Sequence, residues 1–178
     1  MALKEFYDFL SKRKEEITDK WFEMVINTYP HDTAVFFSTQ KDEFLNPVGS
    51  ILRKELRNIF SELLKEHASE KIKEYLDGII RVRAVQDFSP SGAIVIFQKL
   101  KNLLWDLYSQ EIEKNLWFME IRDFEEKIDQ LMLLAFDIYM KCREKLWELK
   151  VKEAYANISN ILRLAGVKVE DDKTLKNQ

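Results

Sequence analysis

The chain has 178 residues, 46% of them hydrophobic and 12% aromatic, enough for one sizeable core. Only four glycines and three prolines occur, which disfavours turn-rich β architectures and favours long uninterrupted helices. The 28 basic and 31 acidic side chains are interleaved rather than blocked, which argues against a nucleic-acid partner.

A single cysteine, Cys142, leaves no intramolecular disulfide and no multi-cysteine metal or iron–sulfur site to expect. The opening Met-Ala-Leu-Lys-Glu-Phe-Tyr-Asp has no signal-peptide pattern, and no segment reaches the roughly 18 uncharged apolar residues of a membrane span. The expectation is a cytoplasmic, all-α domain over residues 1–165 with no membrane insertion and a flexible tail over 166–178.

Leu3, Phe6, Leu10, Ile17, Trp21, Met24 and Val25 recur near helical spacing and predict one helix ending before Tyr29-Pro30. Thr33 to Gln40 reads as a short helix capped by Thr33. Asn46-Pro47 supplies a capping side chain and a first-turn proline for a helix whose apolar face runs from Val48 to Leu64. A polar break at 66–69 precedes a helix from Ile72 to Gln86, and Ser89-Pro90-Ser91-Gly92 starts another through Leu107.

The last predicted helix is the longest. Trp117, Ile121, Phe124, Ile128, Leu131, Ala135, Ile138 and Cys142 alternate steps of four and three along one face. Between Leu131 and Phe136 the segment is apolar all round, which predicts a homodimer contact there. Gly166 is the expected stop.

Directional chemistry concentrates between residues 77 and 100, where Arg81, Arg83, Gln86 and Asp87 are set among Ile79, Ile80, Val82, Val85 and Phe88. Such polar heads need partners near buried surface. The spacing offers an Arg83–Asp87 pair one turn apart and an interhelical contact from Arg81. Arg81 or Arg83 with the backbone near Ser91 also makes a carboxylate or phosphate site. A second polar insertion, Asp137 to Glu144, offers Asp137 to Lys141, Tyr139 to Arg143, and a network from Asp137 to a junction arginine.

Other chemistries find less. His31 and His67 lie off the apolar stripes, where a haem would want an axial imidazole in an apolar pocket. No metal-ligand spacing is recognisable, Cys142 has no histidine nearby in sequence, and neither a catalytic pair nor a cofactor is expected. The Lys41 to Gly49 loop, with Phe36 and the junction, offers lodging for an apolar ligand.

Four phrases carry a resemblance: Thr-Tyr-Pro at 28–30, Phe-Leu-Asn-Pro-Val-Gly at 44–49, Arg-Val-Arg-Ala-Val-Gln-Asp-Phe-Ser-Pro-Ser at 81–91, and Ala-Phe-Asp-Ile-Tyr-Met-Lys-Cys-Arg-Glu at 135–144. Over about residues 15 to 155 the chain resembles the N-terminal domain of RsbR/RsbRD-type proteins, co-antagonists of the RsbT kinase in bacterial stress signalling. The resemblance implies a haem-free, globin-like sensory module that dimerises through helices including the last, here without the STAS output domain. Function is thus expected to be a non-enzymatic sensor or regulator, a homodimer answering to a small ligand or an unknown protein partner. The alternatives are a haem or gas-binding globin-like sensor and a helical scaffold for a partner protein.

Overall fold

The structure, a computed structural model, describes residues 2–67 and 69–165, so the expected stop at Gly166 and the tail at 166–178 lie outside the described residues. Seven helices are described: α1 (Ala2–Lys12), α2 (Lys14–Ile26), α3 (His31–Thr39), α4 (Pro47–Leu63), α5 (Lys71–Val85), α6 (Pro90–Asn115) and α7 (Phe118–Leu164). Among the described residues there is no strand, as the all-α expectation requires. The chain divides into two compact units, one through Cys142 and one from Arg143 onward, and the division falls within α7.

In the first unit α4 packs on α5 and α2, and α2 packs on α6. The core gathers Ile17, Trp21, Leu56, Phe60, Leu76, Ile80, Phe97 and Leu104 with Phe124 and Ile128 of α7. Phe124 sits edge-on to Phe6 at 6.2 Å and to Phe60 at 6.1 Å between ring centroids. Trp21 crosses the core, donating its indole N–H to the Ile96 carbonyl at 2.7 Å and so fastening α2 to α6.

The single first helix of the sequence reading is two. Arg13 leaves helical geometry at φ −108°, ψ 10° because no apolar side chain falls between Leu10 and Ile17 to hold that turn inward, and its guanidinium lies 3.8 Å over Phe9 instead. The short helix also begins earlier than Thr33, at His31, with Pro30 in the capping position.

The two strong cap signals hold. Asn46 accepts from Gly49 N at 2.9 Å and Ser89 from Gly92 N at 3.0 Å, each followed by a first-turn proline. α6 runs past Leu107 to Asn115 with a kink at Tyr108, and Leu116 closes it in the left-handed conformation at φ 56°.

The α7 stripe is part of the core: Trp117, Ile121, Phe124, Ile128, Leu131 and Ala135 are buried, while Ile138 and Cys142 are half-buried and Tyr139 is buried in their place. The all-apolar segment therefore has two faces. Leu131 and Ala135 belong to the core, whereas Leu133 is 71% exposed and Phe136 also faces outward. The second unit, taken by itself, is helical to Leu164 and exposes Trp147, Val151, Tyr155, Ile158, Ile161 and Leu164.

Candidate functional site

The polar junction is built where α5 ends and α6 begins. α5 closes by a Schellman arrangement: Phe88 N bonds to Arg83 O at 3.2 Å and Asp87 N to Ala84 O at 3.4 Å, with Asp87 left-handed at φ 57°. Aspartate tolerates that conformation better than most residues, so the backbone role of Asp87 is to stop the helix. Two residues on, the Ser89 cap followed by Pro90 opens α6.

The Arg83 side chain is 0% exposed. Its Nη2 donates to the Thr28 hydroxyl at 3.0 Å and to the Gly92 carbonyl at 2.8 Å, tying the end of α5 to the end of α2 and the first turn of α6. The guanidinium lies 3.9 Å from the Phe88 ring centroid and 5.3 Å from that of Tyr29. Tyr29 stacks edge-on against Phe37 at 5.1 Å and Phe88 at 5.0 Å, closing an aromatic wall around the cation.

Among the described residues no carboxylate pairs with Arg83, and the expected Arg83–Asp87 pair does not form. The reason is backbone: Asp87 has left the helix, so the one-turn register that would align the two side chains is lost. Arg83 Nε and Nη1 and the Tyr29 hydroxyl are buried without a hydrogen-bond partner. Burial depresses the Arg83 pKa, with Tyr29 working against it, and raises that of Tyr29, with the Arg83 charge working against it.

Arg81, Gln86, Ser91 and Asp137, also of the predicted set, are not among the hydrogen-bond partners of Arg83. Arg81 is exposed and makes a two-point bond with Asp77 of its own helix at 3.1 Å, so it anchors no second helix. Gln86 is the exposed cap of α5, and the Ser91 hydroxyl lies 3.3 Å from that of Ser89. Asp137 is exposed, and its expected bonds to Lys141 and to a junction arginine are not made. Arg143 lies in the second unit.

Tyr139 does reach the junction. It is buried, and its hydroxyl donates to the Phe88 carbonyl at 2.6 Å, holding from α7 the residue whose ring covers Arg83. Thr28, Tyr29, Phe88 and Gly92 were not singled out by chemistry, although Thr28 and Tyr29 stand in the first phrase of the family resemblance and Phe88 in the third.

His31 and His67 are both exposed, His31 at the first residue of α3 and His67 after α4, so neither projects an imidazole into an apolar pocket. Cys142 is half-buried, and burial, with the charge of Asp77 adding to it, raises its thiol pKa, the reverse of an activated thiolate. Near the Lys41 to Gly49 loop there is a cleft of about 540 Å3, but neither Phe36 nor Arg83 lines it, and its lining includes the charged residues Lys41, Glu43, Arg53, Lys54 and Arg57.

Fold and junction together define a small all-α module whose buried polar groups are used to join helices. The chain belongs to the family of RsbT co-antagonist protein RsbRD N-terminal domains, whose model matches residues 15–153. That makes it kin to regulatory domains of stress signalling. It is also similar to an uncharacterized protein of Archaeoglobus fulgidus, 26% identical over 154 residues, which cover 85% of this chain and 91% of that one. No solved structure matches the chain.

Proposed function

We propose that this chain is a non-enzymatic cytoplasmic regulatory module that works as a homodimer and responds to a small ligand or a protein partner through the α5–α6 junction. The observation that carries this reading is Arg83, a fully buried cation that ties three helix ends together with no carboxylate partner among the described residues. An arrangement of that kind is costly as a mere brace, since an uncompensated buried charge forfeits several kcal/mol on the order known for desolvated ions. It suits a junction that exchanges between two packings, because small changes around the guanidinium move α2, α5 and α6 together.

Support for the dimer comes from the second unit, where Trp147, Val151, Ala154, Ile158 and Ile161 follow steps of four, three, four and three. The large members of that series are exposed in the single chain, which is the pattern of a two-stranded coiled-coil seam. Light scattering on the full chain is expected to give a dimer, and Val151→Glu with Ile158→Glu a folded monomer. Hydrogen exchange then tests the junction: Arg83→Met should speed exchange near Thr28 and Gly92 in a protein that remains folded. A wild-type monomer at about 100 μM, where even a weak dimer with Kd near 1 μM would form, removes the dimer; unchanged exchange at both helix ends removes the junction as input.

A further inference from the structure

The 540 Å3 cleft by the Lys41 loop is the place with the best-formed chemistry outside the junction. One wall is a single face of α4 that includes Arg53, Lys54 and Arg57; the other is made by Phe37, Lys41 and Glu43 from the end of α3 and the loop after it. The lining thus carries four cations and one carboxylate.

The two arginines are held in place from α2. Arg53 lies 3.9 Å over the Phe22 ring with Nη1 3.6 Å from Asp19, and Arg57 Nη2 reaches Glu15 at 2.6 Å and Asp19 at 3.1 Å. Glu15 and Asp19 are not among the residues that line the cleft, whereas Lys41, Arg53, Lys54 and Arg57 are. These bonds engage one nitrogen of each guanidinium, and Arg57 Nε is buried with no acceptor. Lys41 and Lys54 enter no ion pair among the described residues. The start of the 17-residue α4, with Asn46 and Gly49 in the lining, adds a field of the same sign.

We propose that this cleft binds a phosphate monoester of a small organic molecule. A phosphate dianion offers three oxygens that accept from cations on both walls at once, where a planar carboxylate suits a single arginine fork. An organic body is indicated because the volume lies in the range of small-molecule sites, roughly 300–1,000 Å3, and because the Phe37 ring and the aliphatic stems of the lysines and arginines supply carbon surface between the charges. The charged wall also replaces the apolar ligand that the sequence predicted for this loop.

The test uses the full chain and isothermal titration with phenyl phosphate, inorganic phosphate and phenol at matched ionic strength. Phenyl phosphate should bind saturably at one site, about tenfold or more tighter than inorganic phosphate, with phenol showing no saturation. Lys41→Glu with Lys54→Glu, both exposed and so harmless to the fold, should weaken it by roughly tenfold or more, the scale of losing one or two charge-assisted contacts, with an unchanged circular-dichroism spectrum. Absence of saturable binding, equal binding by the double variant, or inorganic phosphate binding as tightly as phenyl phosphate overturns the proposal.

Discussion

Arg83 and Thr28 stand 55 positions apart in sequence and meet in a 3.0 Å bond inside the core, where the Thr28 hydroxyl in turn donates to Val25 O at 2.7 Å. The guanidinium is thereby spliced into the last turn of α2. Since no carboxylate balances it, removing the charge should cost little. Arg83→Met, of similar length and fully apolar, is expected to unfold within about 1 kcal/mol of the wild type in urea, because relief of desolvation offsets the lost bonds. Arg83→Glu should lose at least about 3 kcal/mol, the scale for stranding a buried charge. If the methionine variant proved as unstable as the glutamate one, the junction would be a brace and the regulatory reading would lose its main support.

Tyr139 offers a milder probe of the same place. Its hydroxyl satisfies the Phe88 carbonyl at 2.6 Å, and Tyr139→Phe leaves that carbonyl without the bond while keeping the ring in the core. The expected loss is about 1–2 kcal/mol, a drop in Tm of roughly 3–6 °C for a chain of this size. Calorimetry measures it. A shift below about 1 °C would mean that α7 does not hold Phe88 in place.

How far the sequence could be read follows from the range of each signal. Asn46-Pro47 and Ser89-Pro90 were legible because a cap is local: the acceptor, the proline and the amide three residues on are all in one phrase. The break at Arg13 was missed because apolar spacing on both sides stays nearly in register, and only the stretch Ser11 to Lys14 without an inward apolar side chain betrays it. At the site, Arg83 was found but its partners were not. A one-turn pair with Asp87 was the local expectation; a left-handed residue at the helix end removed it, and the true partners came from α2 and α6. Partners 55 positions away leave no periodic trace in a single sequence.

Asn46 carries more than a cap. Besides accepting from Gly49 N, its amide donates to Phe37 O at 3.2 Å and to Gln40 O at 2.8 Å, so one buried side chain joins the start of α4 to the end of α3. Asn46→Ala is expected to cost about 2–3 kcal/mol, more than the roughly 1 kcal/mol of Ser89→Ala, whose exposed hydroxyl makes a single backbone contact. Asn46→Asp keeps the acceptor for Gly49 but turns the two donor bonds into oxygen–oxygen contacts, and should fall near the alanine variant. Gly49 is part of the arrangement, since a Cβ there would lie 2.4 Å from Asn46 Nδ2 and evict the cap. Urea titrations of the four proteins check the order, and an Asn46→Ala cost no larger than that of Ser89→Ala would show the Phe37 and Gln40 bonds to be dispensable.

Glu62 gives a pH dependence whose sign is fixed by the structure. Its side chain is 5% exposed at the end of α4 and accepts from Lys65 Nζ at 2.6 Å and from Ser69 N at 2.8 Å, closing the connection to α5. Burial by itself would raise the pKa, but the bonds from Lys65 and Ser69 outweigh it and hold the carboxyl below its ordinary value of 4.5. A group whose pKa is depressed by folding contributes stability above its unfolded value and loses it as pH falls through the folded one. Glu62→Gln, which keeps an acceptor but no charge, should therefore be less stable than the wild type by about 1 kcal/mol at pH 7, modest because Lys65 is half exposed. The gap should hold down to about pH 5, narrow below 4.5, and vanish once both forms are neutral. Urea midpoints taken across that range decide the matter: a gap that stays constant into acid would show that the Ser69 amide needs only an uncharged acceptor, and that the ion pair with Lys65 contributes nothing to closing the loop.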